Sequence, residues 1–93
     1  MPITKQWSAY TGTDSLTNNI GVYELAYNKQ CVYIGEGRIA TRVGHHESKG
    51  WNITHVRVEE TNSKRRAEQR ESALLKQYYK KNGRTPKHND YLD

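Results

Sequence analysis

Residues 20–35 read IGVYELAYNKQCVYIG. Two runs rich in β-branched and aromatic residues enclose a polar turn, and this pattern predicts a β-hairpin. Apolar residues at helical spacing predict a short helix at 38–46 and a longer helix at about 64–82. Between them, alternating residues at 53–59 predict a third strand at a sheet edge. We therefore expect an α+β fold in which a small central antiparallel three-stranded β-sheet is flanked by helices.

The register of the hairpin follows from its loop. If the loop occupies residues 27–29, the numbers of cross-strand partners sum to 56. This register places Tyr23 opposite Tyr33, and Leu25 opposite Cys31, on one face of the hairpin. Two phenols are then expected to share that face.

The composition favours a single small domain with a polyanionic partner. The chain has 93 residues, with 15 Lys and Arg against 10 Asp and Glu, and a formal charge of +5. We expect an irregular N-terminal segment at 1–19, followed by one domain at 20–93. The absence of a long apolar run or a leader-like N-terminus predicts no membrane span and a cytoplasmic protein. Cys31 is the single cysteine, which excludes an internal disulfide.

The longer helix carries a carboxylate within its apolar stripe. Ala67, Leu74, Leu75 and Tyr78 form the stripe, and the position four residues after Ala67 is Glu71. A buried ionised carboxylate is costly without a partner, so Glu71 would need a cation, a metal ion or a hydrogen-bonded cluster. The alternative is that Glu71 lies at the edge of the stripe and reaches water or a basic neighbour.

Several short motifs occur in a fixed order along the chain. GVY at 21–23 and YIG at 33–35 are followed by Arg42 and His46, which lie one helical turn apart. The longer helix then carries ESALLK at 71–76. This sequence resembles the GIY-YIG nuclease family, whose members have a metal-binding Glu in a Glu-x-x-Leu-[Ile/Leu]-Lys helix.

The resemblance extends to the C-terminal part of the chain and has two departures. PKHN at 86–89 is similar to the Pro-x-x-Asn segment of the family, so the match covers roughly residues 20–89. Many members have a Lys at or near the position after the YIG glycine, where this chain has Glu36, with Arg38 two residues further on. The basic insertion at 80–84 also makes the gap before PKHN longer than in the bacterial excision-repair nuclease.

The resemblance implies a divalent-metal-dependent DNA endonuclease that hydrolyses phosphodiester bonds. Glu71 would hold Mg²⁺, with Mn²⁺ able to substitute, and Arg42 would face the phosphate oxygens. Tyr23, Tyr33 and His46 are the alternatives for the group that orients or deprotonates the attacking water. The implied catalytic residues are Tyr23, Tyr33, Arg42, His46, Glu71 and Asn89, with Gly21 and Gly35 as backbone requirements of the motif.

DNA is the expected partner, and basic residues supply its binding surface. A monomer would nick one strand, whereas double-strand cutting would require a homodimer, and a separate protein could give specificity. Two alternatives are a catalytically inactive nucleic-acid-binding module of the same fold and a small basic protein-interaction domain. The residues expected to contact nucleic acid are Arg38, Lys64, Arg65, Arg66, Lys80, Lys81, Arg84 and Lys87.

Overall fold

The structure is a computed structural model that describes residues 6–89. The described residues form one antiparallel sheet in the order β1-β4-β2-β3, which confirms the α+β class. Residues 1–5 and 90–93, at the outer ends of the predicted segments 1–19 and 20–93, lie outside the described residues. The elements are β1 (Ser8–Ala9), a 3₁₀ turn (Thr13–Ser15), β2 (Ile20–Tyr27), β3 (Gln30–Arg38), α1 (Ile39–Ser48), β4 (His55–Glu60) and α2 (Lys64–Asn82).

The sheet has four strands, so the prediction of three was wrong. The additional strand, β1, pairs with β4 through Ser8 opposite Val56 and Ala9 opposite His55. As a result, β4 lies between β1 and β2 rather than at the sheet edge, and the segment 1–19 is not wholly irregular. A strand of two residues is too short to show an alternating pattern, which is why the sequence did not reveal it.

The predicted register of the hairpin was also wrong. The turn contains two residues, beginning with Asn28 at φ 57°, and Tyr27 pairs with Gln30. A β-bulge follows, in which the partner of Leu25 is Tyr33 while the partner of the next residue, Ala26, is Cys31. The extra residue shifts the pairing from there onward, because a bulge sets two residues against one.

The shifted register places Gly35, rather than Tyr33, opposite Tyr23. The two tyrosines are now diagonal neighbours, with ring centroids 6.0 Å apart. Cys31 packs against the hydrophobic cluster beneath α2, whereas Leu25 belongs to the cluster on the other face. The predicted pairing of Leu25 with Cys31 on one face is therefore wrong, although both phenols still belong to one cluster.

The helix α2 has the bounds that the sequence predicted. Ser63 is its N-cap and accepts a hydrogen bond from the backbone N–H of Arg66, and Gly83 ends it in the left-handed conformation at φ 75°. Its buried residues Ala67, Leu74 and Leu75 pack with Val22 of β2 and Ile34 of β3. No helix within residues 6–89 has both the length and the apolar character that crossing a membrane requires.

The helix α1 packs on the opposite face of the sheet and extends two residues beyond the predicted end at 46. Ile39 and Val43 are fully buried there with Leu25 of β2 and Val56 of β4. Successive strand residues point to opposite faces of a sheet, so neighbouring residues of β2 pack against different helices. Tyr23, the tyrosine of the GVY motif, therefore lies on the sheet face that α1 covers.

The C-terminal segment closes the outer edge of β3. The Oδ1 atom of Asn89 accepts a hydrogen bond of 2.9 Å from the Ile34 backbone N–H, and Nδ2 donates one of 3.0 Å to the Ile34 carbonyl. The His88 backbone N–H donates to the carbonyl of Val32 at 2.8 Å. An asparagine amide thus occupies the place of a neighbouring strand, satisfying groups that a sheet edge leaves unpaired.

Replacing Asn89 by alanine is expected to destabilise the fold. The substitution leaves the buried N–H and C=O of Ile34 without these partners, which costs about 1–3 kcal/mol of unfolding free energy. Urea denaturation measures this change, and Lys87→Ala is the matched control because Lys87 lies exposed in the same segment. Equal stability of the two variants would show that the amide does not hold the segment.

Candidate active site

Tyr23 is a buried phenol at the centre of the motif residues. Its side chain is fully buried, and its hydroxyl lies 2.8 Å from Nε2 of His46. A Cβ atom at Gly35, directly opposite, would lie 2.5 Å from the Tyr23 oxygen. That separation is shorter than van der Waals contact allows, so a residue with a side chain at position 35 would displace the phenol.

Gly21 is constrained by a different neighbour. A Cβ atom at Gly21 would collide with the carbonyl oxygen of Glu59 on β4, the strand that pairs with this part of β2. Each of the two motif glycines therefore allows a neighbouring group to come close to the backbone. Gly21 allows β2 and β4 to pair, and Gly35 makes room for the Tyr23 hydroxyl.

Arg42 and His46 follow one another on the same face of α1 and both reach Tyr23. The Arg42 guanidinium is close enough to the Tyr23 hydroxyl for its charge to lower the pKa of the phenol. In the hydrogen bond between Tyr23 and His46, the phenol donates when Nε2 carries no proton, and Nε2 donates when it does. Tyr33 lies beside this pair, with its ring centroid 4.4 Å from that of His46.

His46 is held as a neutral imidazole. Burial, the largest cause, and the electrostatic effect of Arg42, Lys49, His45 and His88 together lower its pKa to about 4. The other ring nitrogen, Nδ1, is buried and has no hydrogen-bond partner among residues 6–89.

Tyr23 is held protonated at neutral pH. Burial raises the pKa of its hydroxyl well above the ordinary value, and the neighbouring Tyr33 and Glu71 add to this effect. Arg42 acts in the opposite direction but does not offset the burial. The pair is consequently a neutral phenol hydrogen-bonded to a neutral imidazole.

Glu71 is a half-buried carboxylate on α2, and it is close enough for its charge to raise the pKa of Tyr23. Within residues 6–89 no group of three or more His, Cys, Asp or Glu side chains could hold a metal ion together. A single carboxylate nevertheless suits Mg²⁺, which keeps several waters and takes further oxygen ligands from a bound phosphate. The donor chemistry of Glu71 therefore fits a metal ion that is completed by substrate.

A basic cavity of about 490 Å³ opens beside Arg42. Three cationic side chains line it together with one carboxylate, Glu36, which follows the YIG motif. The carboxylate is engaged by the ammonium group of Lys64 at 2.6 Å. Glu36 is thus partly neutralised at the place where many GIY-YIG nucleases have a lysine. The lining residues are Ile20, Glu36, Gly37, Arg38, Arg42 and Lys64.

An aromatic column that sequence reasoning missed supports His46. The indole of Trp51 stacks on the His46 ring at 4.6 Å and 2°, and His88 stacks on Trp51 at 4.0 Å and 8°. Trp51 follows α1 closely in the sequence, and His88 belongs to the PKHN segment. Only the folded chain brings these residues together, although their nearness to His46 and Asn89 in sequence was an available signal.

The other predicted basic residues are exposed but do not form one run. One group lies at the start of α2 beside the basic cavity, and the other lies near or beyond its C-terminal end. Lys80 lies 16 positions after Lys64, which is about 24 Å along the helix at 1.5 Å per residue. The exposed basic side chains are Arg38, Lys64, Arg65, Arg66, Lys80, Lys81, Arg84 and Lys87.

A protein-family model described as a domain of unknown function, DUF7508, matches residues 1–81. The match covers most of the 93-residue chain. No curated protein and no solved structure matches the chain.

The low pKa of His46 predicts that the fold loses stability in mild acid. Unfolded His46 takes up a proton near its ordinary pKa of 6.5, whereas folded His46 does so only near 4. Acidification between those values therefore favours the unfolded chain. From pH 7.5 to 5, the unfolding free energy of the wild type should fall by about 2 kcal/mol relative to His46→Gln. Urea denaturation at both pH values measures this, and a constant difference between the two proteins would contradict it.

Proposed function

We propose that this chain, which belongs to the DUF7508 family of domains of unknown function, is a DNA endonuclease of the GIY-YIG type. The observation that carries the proposal is the buried hydrogen bond between Tyr23 and His46, with the charge of Arg42 close to the phenol. Arg42 also lines the basic cavity, so a cation that can bind phosphate lies next to a buried phenol–imidazole pair. Such an arrangement suits phosphodiester hydrolysis, which must remove a proton from water and stabilise a charged phosphate.

The Tyr23–His46 pair supplies the path for the proton. In the proposed step the phenol donates to Nε2, a water oxygen attacks phosphorus and gives its proton to the Tyr23 oxygen, and the phenol proton moves to Nε2 of His46. The bond from phosphorus to the leaving oxygen breaks, and that oxygen takes a proton from solvent. The phenol thus stays neutral throughout, in keeping with its raised pKa. Because the charge of Arg42 contributes to the low pKa of His46, a phosphate anion bound at Arg42 would offset that charge. The imidazole then becomes a stronger base when substrate is present.

Arg42 has a second part in the proposed reaction. Its planar guanidinium can bind two non-bridging phosphate oxygens at once. The charge that develops on those oxygens during attack would then lie against a fixed cation. Lys64 and Arg38 in the adjoining cavity would hold the flanking phosphates.

Glu71 is the residue that would hold the divalent ion. Mg²⁺ at this carboxylate, with Mn²⁺ as a substitute, would supply charge stabilisation for the leaving oxygen of the broken bond. The half-buried carboxylate on α2 provides the fixed position that such a site needs.

DNA inside the cell is the proposed substrate. The two basic groups on and beyond α2, about 24 Å apart, match the spacing of phosphates along roughly seven base pairs of duplex. With one candidate site, a monomer would nick one strand. Cutting both strands would require a homodimer, and sequence preference would come from a separate protein or from DNA shape.

Replacing Glu71 by glutamine should abolish metal-dependent cutting. The amide keeps the size of the carboxylate but removes the charge that binds the ion, so nicking of supercoiled plasmid should fall by at least about 100-fold. Glu68→Gln is the matched control, because Glu68 lies exposed on the same helix. The wild type should cut with Mg²⁺ or Mn²⁺ and stop in EDTA.

Three results of nicking and DNA-binding measurements would count against the proposal. Equal nicking by Glu71→Gln and Glu68→Gln would remove Glu71 as the metal ligand. A wild type that binds DNA but does not cut with either metal would instead be a non-catalytic nucleic-acid-binding domain. A wild type without salt-dependent affinity for DNA would favour a protein-interaction domain.

A further inference from the structure

A shallow pocket of about 280 Å³ lies next to the aromatic column. It shares Trp51 and His88 with that column, and Trp51 in turn stacks on His46. The pocket is therefore one ring away from the imidazole that is hydrogen-bonded to Tyr23. Its volume is slightly below the range of about 300–1,000 Å³ for small-molecule sites, which suits a single planar ring system.

The walls of the pocket combine three kinds of group. Tyr27 contributes an aromatic ring whose side chain remains 46% exposed at the end of β2. Gln30 and Asn52 contribute amides, each of which can both donate and accept hydrogen bonds. Lys87 contributes a cation from the exposed part of the C-terminal segment.

This combination matches the chemistry of a nucleotide. A nucleotide presents a base with flat faces that stack on aromatic rings, a base edge of donors and acceptors that amides can read, and a phosphate that a lysine can bind. In a duplex, both faces of each base are stacked and its pairing edge is occupied. Only an unpaired base could enter a pocket of this size and use all three kinds of group.

We propose, on the basis of the endonuclease function proposed above, that this pocket receives one unpaired nucleobase beside the scissile phosphate. Flapped or otherwise single-stranded DNA is then the preferred substrate class, and intact duplex is a poor one. Tyr27 supplies the stacking surface, and Lys87 holds the phosphate of the inserted nucleotide. Trp51 couples the two sites, since the same indole borders the base pocket and supports the His46 ring.

Base insertion can be measured without cutting. The probes are flapped duplexes in which the fluorescent adenine analogue 2-aminopurine replaces, in turn, each of the three flap nucleotides nearest the junction. With the full chain in EDTA, we expect wild-type protein to quench the fluorescence at one of these positions through stacking. Tyr27→Ala should lose the quenching and bind the flap about 5- to 100-fold more weakly, while its affinity for blunt duplex stays unchanged.

Tyr79→Ala is the matched control, because Tyr79 is an equally exposed tyrosine, at 47%, on α2. It should keep both the quenching and the flap affinity. Absence of quenching at all three positions, or equal flap affinities of Tyr27→Ala and Tyr79→Ala, would overturn the base pocket. Equal cutting of flap and duplex by the wild type in Mg²⁺ would also overturn it. Absence of cutting would instead overturn the endonuclease, and the quenching in EDTA would still decide the base pocket.

Discussion

The hydrogen bond between Tyr23 and His46 depends on the glycine that faces the phenol across the hairpin. Gly35 occupies that position because the β-bulge after Leu25 shifts the strand pairing. Any side chain at Gly35 would overlap the Tyr23 oxygen, which would then be forced away from Nε2 of His46. The register of the β2–β3 hairpin is thus a condition for the candidate site as well as for the core.

The C-terminal segment connects the stability of the sheet to the geometry of the site. Asn89 binds the backbone of Ile34, one residue before Gly35, and so holds the part of β3 that faces Tyr23. The preceding residue, His88, stacks on Trp51 and through it on His46. One short segment therefore supports both the strand beneath the phenol and the imidazole ring that is hydrogen-bonded to it. Disturbing either contact should affect folding and the proton path together.

The sequence predicted the elements that have strong local signals. The helix α2 shows a clear apolar stripe between a Ser63 cap and Gly83, and its observed bounds agree with the prediction. The register of the hairpin depends on a β-bulge, which leaves no periodic pattern in the sequence. The strand β1 has two paired residues, which are too few to show one. The column of Trp51 on His46 is a tertiary contact, which motif spacing does not contain. Motif residues could thus be named from sequence, but the groups that orient them could not.

The central claim is that the Tyr23 phenol and the His46 imidazole act as one proton-transfer unit. Single-turnover cleavage rates of Tyr23→Phe, His46→Gln and the double variant, each checked for folding by circular dichroism, test it most directly. We predict that each single change slows cleavage by about 10²–10⁴-fold. The double variant should then be no slower than the slower single variant, because loss of either residue already removes proton transfer through the pair. Rate losses that multiply in the double variant would contradict the account, as would unchanged cleavage by Tyr23→Phe.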